Sequence, residues 1–191
     1  MQIVIASQNK NKIAEIRQKL EGFEVLGLDP QLFPDELEET GTTLEQNALQ
    51  KVRQVHDKTQ GNCFADDTGL EVDALDGAPG IYSARYAGEQ KNSEDNMNLL
   101  LQNLESKASR KAHFKTIIAL IWEGEEYVFE GICKGEIVTE KSGEKGFGYD
   151  PIFVPEGSNK TFAQMTMEEK SVLSHRGMAV DQLVKFLKQK V

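Results

Sequence analysis

Lys10 and Lys12 stand where a short apolar run, QIVIA, hands over to NKIAEIRQKL, whose apolar residues Ile13, Ile16 and Leu20 recur at helical spacing. The positive pole of a helix dipole disfavours cations by a few tenths of a kcal/mol, so lysines at a helix start need a reason. An anion supplies one. Free backbone N–H groups at the start of a helix, with Asn9, Lys10 and Lys12 as added donors, suit phosphate oxygens. The segment SQNKNK is neither GxxxxGK[ST] nor GxGxxG, so it matches no standard nucleotide loop.

Three further stretches carry groups that could do chemistry. In CFADDTGLEVD, successive residues of an extended strand point to opposite faces, so at most one of Asp66 and Asp67 addresses a given site. A single aspartate can begin a Mg²⁺ site, because that ion is commonly held by one or two carboxylates together with substrate phosphates and water. The acidic loop offers a second carboxylate at Glu36, Glu38 or Glu39. In GFGYDPIF, Phe147 and Tyr149 alternate with glycines that would let a planar ligand approach, and Asp150 could accept from a base edge. Stacking on such rings is worth roughly 1–3 kcal/mol per base. In EEKSVLSHRGMAV, Lys170, His175 and Arg176 gather before the last amphipathic run, again cations where a helix begins. Taken singly, these stretches also describe a solvated helix start, an acidic turn, a core strand and a charged surface. Asp-Thr-Gly also occurs in aspartic proteases, where two carboxylates share a proton; that fold is all-β, and this chain carries one DTG among several helical segments.

The elements that must position these residues are legible in outline. QIVIA reads as a buried strand, and Thr42 with Glu45 forms a capping-box pattern ahead of a helix bearing Leu44, Ala48, Val52 and Val55. A strand from Asn62 to Ala65 is expected to end at an acidic DDTG turn, followed by extended LEVDAL and a glycine-rich loop. Ser93 is placed to cap a helix carrying Met97, Leu100, Leu101 and Leu104. HFKTIIALIW and YVFEGICKGEIV flank a turn at EGEE, and Thr166 with Glu169 fits a second capping box before a face of Val180, Leu183, Val184 and Leu187. Strands interleaved with helices around one central hairpin predict an α/β domain with a mixed sheet and flanking helices, a single domain over residues 1–191.

Composition narrows the partners. The 191-residue chain is 39% hydrophobic and 28% charged, as expected of a folded globular protein. Its 31 acidic against 22 basic residues give a net charge of −9, which argues against a nucleic acid partner, since such binding needs a basic face. No window approaches the ~20 apolar residues of a membrane span, and Ile3–Ala6 is too short for a signal peptide. No membrane association and a cytoplasmic location are expected. Cys63 and Cys133, 70 residues apart and without metal-ligand spacing, predict buried thiols.

SQNKNK, EETGTTLEQNALQK, FADDTGLEVDALDGAPGIYSARYAG, GFGYDPIF and SHRGMA, in this order and across nearly the whole chain, closely resemble the ITP/XTP pyrophosphatase family, whose members hydrolyse non-standard purine nucleoside triphosphates. The resemblance implies an elongated two-lobed α/β fold with a mixed sheet, a homodimer, and a substrate cleft between the lobes with Mg²⁺. It makes Ser7, Gln8, Asn9, Lys10, Asn11 and Lys12 the triphosphate loop, Asp67 the proton acceptor and a metal ligand, Thr68 a substrate contact and Glu39 the second metal position. Lys51 and Arg85 fall on basic positions near the phosphates; Phe147, Gly148, Tyr149, Asp150, Lys170, His175 and Arg176 fall on the base pocket. Gln8 stands where glycine is frequent, Thr68 where serine is frequent and Tyr149 where some members have tryptophan. A non-catalytic purine nucleotide-binding module would use the same loop and pocket.

Overall fold

The computed structural model describes residues 2–20 and 22–190, and has an α/β fold built on one mixed sheet. Its strands are β1 (Gln2–Ile5), β2 (Glu24–Leu26), β3 (Cys63–Val72), β4 (Pro79–Gly80), β5 (Lys111–Trp122), β6 (Glu125–Ile137) and β7 (Phe153–Pro155). The helices are α1 (Lys10–Lys19), α2 (Leu44–Thr59), α3 (Ser93–Asn103), α4 (Met167–Leu173) and α5 (His175–Leu187). The strand order is β2-β1-β3-β5-β6-β7, with β4 paired to β3. β1 runs parallel to both β2 and β3, so α1 and α2 are crossover connections. β5 and β6 are joined by two residues, which makes them an antiparallel hairpin. Helices in this number are incompatible with the all-β protease fold that Asp-Thr-Gly alone allowed.

The chain divides into two compact units. The first comprises the chain up to Asp67, Thr116–Gly131 and the chain from Arg176; the second comprises Thr68–Lys115 and Ile132–His175. Two boundaries therefore fall inside motifs, between Asp67 and Thr68 and between His175 and Arg176. Each unit has its own core. In the first, Ile3, Ile5, Ile16, Phe64, Trp122 and Leu183 pack together; in the second, Leu70, Leu100, Phe114, Tyr149, Phe153 and Phe162 do. Fully burying one such side chain contributes roughly 1.5–3 kcal/mol.

Several expected boundaries shift. β3 continues unbroken through DDTG, because its side chains are buried along nearly the whole strand and the two aspartates find ionic partners instead of turning outward. The α2 cap is Thr43, which accepts from the Gln46 N–H, rather than Thr42 with Glu45. The α3 cap is Asn92 rather than Ser93, its carbonyl oxygen accepting from the Glu94 and Asp95 N–H groups. The Thr166–Glu169 box forms with both arms. Both cysteines are buried free thiols, and burial pushes them up to about 12 for Cys63 and about 11 for Cys133. Among the described residues, no helix is long and apolar enough to cross a membrane.

Candidate active site

In the first unit the turn from β1 into α1 is held by Asn9, whose Oδ1 accepts from the backbone N–H of Asn11 at 3.0 Å and Lys12 at 3.2 Å. Ser7 Oγ accepts from the Asn9 N–H at 3.2 Å. No acidic residue lies in the first turn. Gln8, Lys10 and Asn11 are exposed. Lys12 turns inward, its ammonium 3.1 Å from Asp66 Oδ2.

Asp66 is the centre of a buried ionic cluster. Its side chain is wholly buried, and Arg176 meets the same oxygen through Nε at 3.3 Å and Nη2 at 3.2 Å. Arg176 Nη1 donates to Glu15 at 2.6 Å. Burial alone would raise the Asp66 carboxyl, but Lys12 and Arg176 outweigh it and hold the group well below the usual carboxylate range. Burial in turn pulls the Lys12 ammonium below its ordinary value, against the attraction of Asp66. For Arg176 the balance reverses: Asp66 and Glu15 outweigh burial and raise it.

Strand alternation sends Asp67 to a different partner. Lys51, on α2, donates to Asp67 Oδ1 at 3.2 Å and to the Asp66 carbonyl at 2.8 Å, and lies 2.5 Å from Glu39 Oε1. One ammonium thus meets three oxygens. Burial raises the Asp67 carboxyl, and the charge of Glu39 adds to the rise while Lys51 and Lys12 oppose it. Asp67 and Glu39 outweigh the burial of Lys51 and hold its ammonium above the ordinary value. Among the described residues no group of three or more His, Cys, Asp or Glu gathers as a metal cage. The pair Asp67 and Glu39 is already bridged by a cation, however, and its all-oxygen donor set is of the kind Mg²⁺ takes with substrate phosphates.

The second unit gathers a different set. Asp150 Oδ2 accepts from the Phe147 N–H at 2.8 Å and from Lys170 Nζ at 2.7 Å. The Lys170 ammonium lies over the rings of Phe147 and Phe162, 5.0 and 5.5 Å from their centroids. Gly146 has φ +75°, and a Cβ there would fall 2.0 Å from Asp150 Oδ2, so any side chain at this turn would be strained and would displace the Asp150 carboxylate. Gly148 follows in the same loop, half-buried. Tyr149 is buried and its hydroxyl donates to the Ser83 carbonyl at 2.8 Å, so its ring packs beneath the loop. His175 stacks on Phe114 at 4.5 Å and 14°. Thr68 is half-buried, as is Arg85, whose guanidinium lies 5.7 Å from the Tyr82 ring. A hollow of about 740 Å³ elsewhere in this unit, lined by Ser158, Lys160, Met165, Glu169, Val172 and Leu173, contains none of the predicted site residues.

A family model described as the Ham1 family matches residues 3–186. The chain belongs to this family. A Flavobacterium johnsoniae protein named dITP/XTP pyrophosphatase is 54% identical over 188 residues, 98% of each chain. The solved Staphylococcus aureus Ham1 protein superposes with a TM-score of 0.90 at 44% identity over the whole of both chains. A HAM1 protein from Coxiella burnetii gives 0.90 at 36% identity over 99% of each. In this Ham1-family chain, sequence patterns brought Lys12, Lys51, Glu39 and Asp67 into view; they weighed Asp66 beside Asp67 without giving it a role, and missed Glu15. The signal for Asp66 was its strand neighbour: alternation allows both aspartates to be used, each toward its own partner. Glu15 carried only a faint mark, its place one helical turn beyond Lys12.

Proposed function

We propose that this Ham1-family chain is a nucleoside triphosphate pyrophosphatase that hydrolyses ITP, dITP and XTP to the monophosphate and pyrophosphate, and so removes deaminated purines from the nucleotide pool. The observation that carries it is the carboxylate pair Asp67 and Glu39, gathered by Lys51 in the unit that also holds the Ser7–Lys12 loop, in a chain 54% identical to a protein named dITP/XTP pyrophosphatase. The polyphosphate end of the substrate is assigned to these residues and the purine end to Phe147, Asp150, Lys170 and His175. We further propose Mg²⁺ as the cofactor, with Asp67 and Glu39 as its protein ligands and the cytoplasmic homodimer as the working form.

When bound, Mg²⁺ would neutralise phosphate charge and favour attack at phosphorus. Asp67 accepts the proton of the water whose oxygen forms the new bond to the α-phosphorus. The bond from that phosphorus to the α,β-bridging oxygen breaks, and its electron pair leaves with pyrophosphate. Burial, which raises the proton affinity of Asp67, suits it to this task. Lys12, the Asn9 amide and Lys51 offer positive charge and donors to the leaving group, the positioning and electrostatic help on which phosphoryl transfer depends. At the base, the donors of Lys170 and His175 suit the 6-oxo group that hypoxanthine and xanthine share; adenine presents a donor there. The Arg176 guanidinium is engaged by Asp66 and Glu15 and holds them in register.

The test is product identity. The protein is incubated with ITP, XTP, dITP, ATP and GTP, with Mg²⁺ or with EDTA, and monophosphate is separated from diphosphate. Mg²⁺-dependent IMP and XMP, with little product from ATP and GTP, is expected. Diphosphate would move the cleavage to the γ-phosphorus and overturn the mechanism; binding without turnover would make the chain a nucleotide-binding module.

A further inference from the structure

Resting on the proposed activity, we infer that the amide-bearing face of α2, formed by Gln46, Asn47, Gln50 and Gln54, positions Glu39 beside Asp67 by holding the loop backbone on both sides of it. Residues 38–42 belong to no helix or strand, and backbone N–H groups in such a loop ordinarily face water. Here those of Glu38, Thr40, Gly41 and Thr42 face side-chain amides. Glu38 N–H donates to Gln54 Oε1 at 3.0 Å, Thr40 N–H to Gln50 Oε1 at 2.9 Å, Gly41 N–H to Asn47 Oδ1 at 2.8 Å and Thr42 N–H to Gln46 Oε1 at 2.8 Å. Two of the amides also donate back: Gln54 Nε2 to the Glu38 carbonyl at 3.0 Å and Gln50 Nε2 to Thr40 Oγ1 at 3.1 Å.

Helical spacing explains why this works. Gln46, Gln50 and Gln54 recur every four residues and so line one face; Asn47 and Lys51 form the adjacent row. The helix that pins the residues before and after Glu39 is thus the helix that presents Lys51 to the Glu39 carboxylate. Gly41 marks how close the loop lies. A Cβ there would sit 2.6 Å from Gln46 Cβ and 2.7 Å from Asn47 Oδ1, so even alanine must push the loop away from α2. A carboxylate on an unrestrained loop would lose conformational freedom each time it engaged a cation, whereas this one is already ordered. The four amides touch no reacting atom; they are positioning residues.

The test combines two readouts on the full chain. In the double variant Gln50→Ala, Gln54→Ala, amide exchange at Glu38 and Thr40, followed by NMR without metal or nucleotide, should rise about tenfold, the loss of one net hydrogen bond at each. The Mg²⁺ concentration for half-maximal ITP hydrolysis should rise several-fold, with kcat at saturating Mg²⁺ and the melting temperature close to the parent. Gly41→Ala, which deletes no amide, should move both readouts the same way. Unchanged exchange would overturn the inference, since the amides would not then hold the loop. Faster exchange with an unchanged Mg²⁺ requirement would also overturn it, leaving the pyrophosphatase assignment intact. A parent chain that forms no IMP would overturn that assignment and this inference with it.

Discussion

The two units handle charge differently. In the first, Asp66, Lys12, Arg176 and Glu15 form a buried cluster in which each charge has an opposite neighbour, with Asp67, Lys51 and Glu39 alongside. In the second, one buried ion pair, Lys170 with Asp150, lies against the Phe147 and Phe162 rings. A polyanion with a departing pyrophosphate needs dense, fixed charge, because mobile dipoles would have to reorganise during the reaction. A purine needs a flat apolar contact and a few donors. The contrast predicts that changes to the buried charges of the first unit act on turnover or folding and changes to the ring contacts of the second on substrate affinity.

The largest effect is expected at Asp67. Asp67→Asn keeps the shape and removes the proposed base, and kcat for ITP should fall by about 10²–10⁴ with KM little altered. Single-turnover and steady-state kinetics on the same preparation separate the two, and a KM-only change would break the comparison. The neighbouring aspartate should fail in another way. Asp66→Ala leaves Lys12 and Arg176 buried with their shared counter-charge gone, and removing one partner of such a group costs about 3–5 kcal/mol. Urea unfolding should show that loss. A stable Asp66→Ala protein with only kcat impaired would instead make Asp66 part of the chemistry.

At the proposed base end, Phe147→Ala removes one of the two rings over which the Lys170 ammonium lies but leaves the Phe147 N–H to Asp150 in place. KM for ITP should rise about tenfold, the scale of one base–aromatic stack, with kcat near the parent. Competition between ITP and dITP should be unaffected, since both carry the same base.

How much of this was readable in advance varies with the kind of signal. The start of α4 was marked only by its capping box, whereas periodicity located α1, α2, α3, α5 and the central hairpin, because apolar spacing is local information. It gave no warning of β2, β4 and β7, whose two or three residues are too short to show alternation and exist only through pairing with longer strands. Motif resemblance led to Lys51 and Glu39, yet their union depends on a loop held by amides at 46, 47, 50 and 54 that look like ordinary helix surface. Arg176 was expected with the base-pocket residues by its neighbours in SHRGMA; its contacts with Asp66, 110 residues earlier in the chain, are set by tertiary packing alone.

The smallest effect should come from the other well-formed arginine pair of the first unit. Arg53 reaches Glu126 through two bonds of 2.7 Å, which by geometry alone look at least as good as those of Arg176. Their surroundings differ. The Arg53 and Glu126 side chains are 54% and 40% exposed, against 4% for Arg176 and 0% for Asp66. Solvent screens the exposed pair and hydrates either partner left alone, so Arg53→Ala should cost no more than about 0.2–1 kcal/mol in urea unfolding and leave ITP turnover unchanged. Raising the salt concentration should erase even that difference, because exposed pairs are screened within about 10 Å at 0.1 M ionic strength. A cost approaching that of Asp66→Ala would mean that burial does not separate the two arginines, and the contrast between dense fixed charge and surface charge would lose its footing.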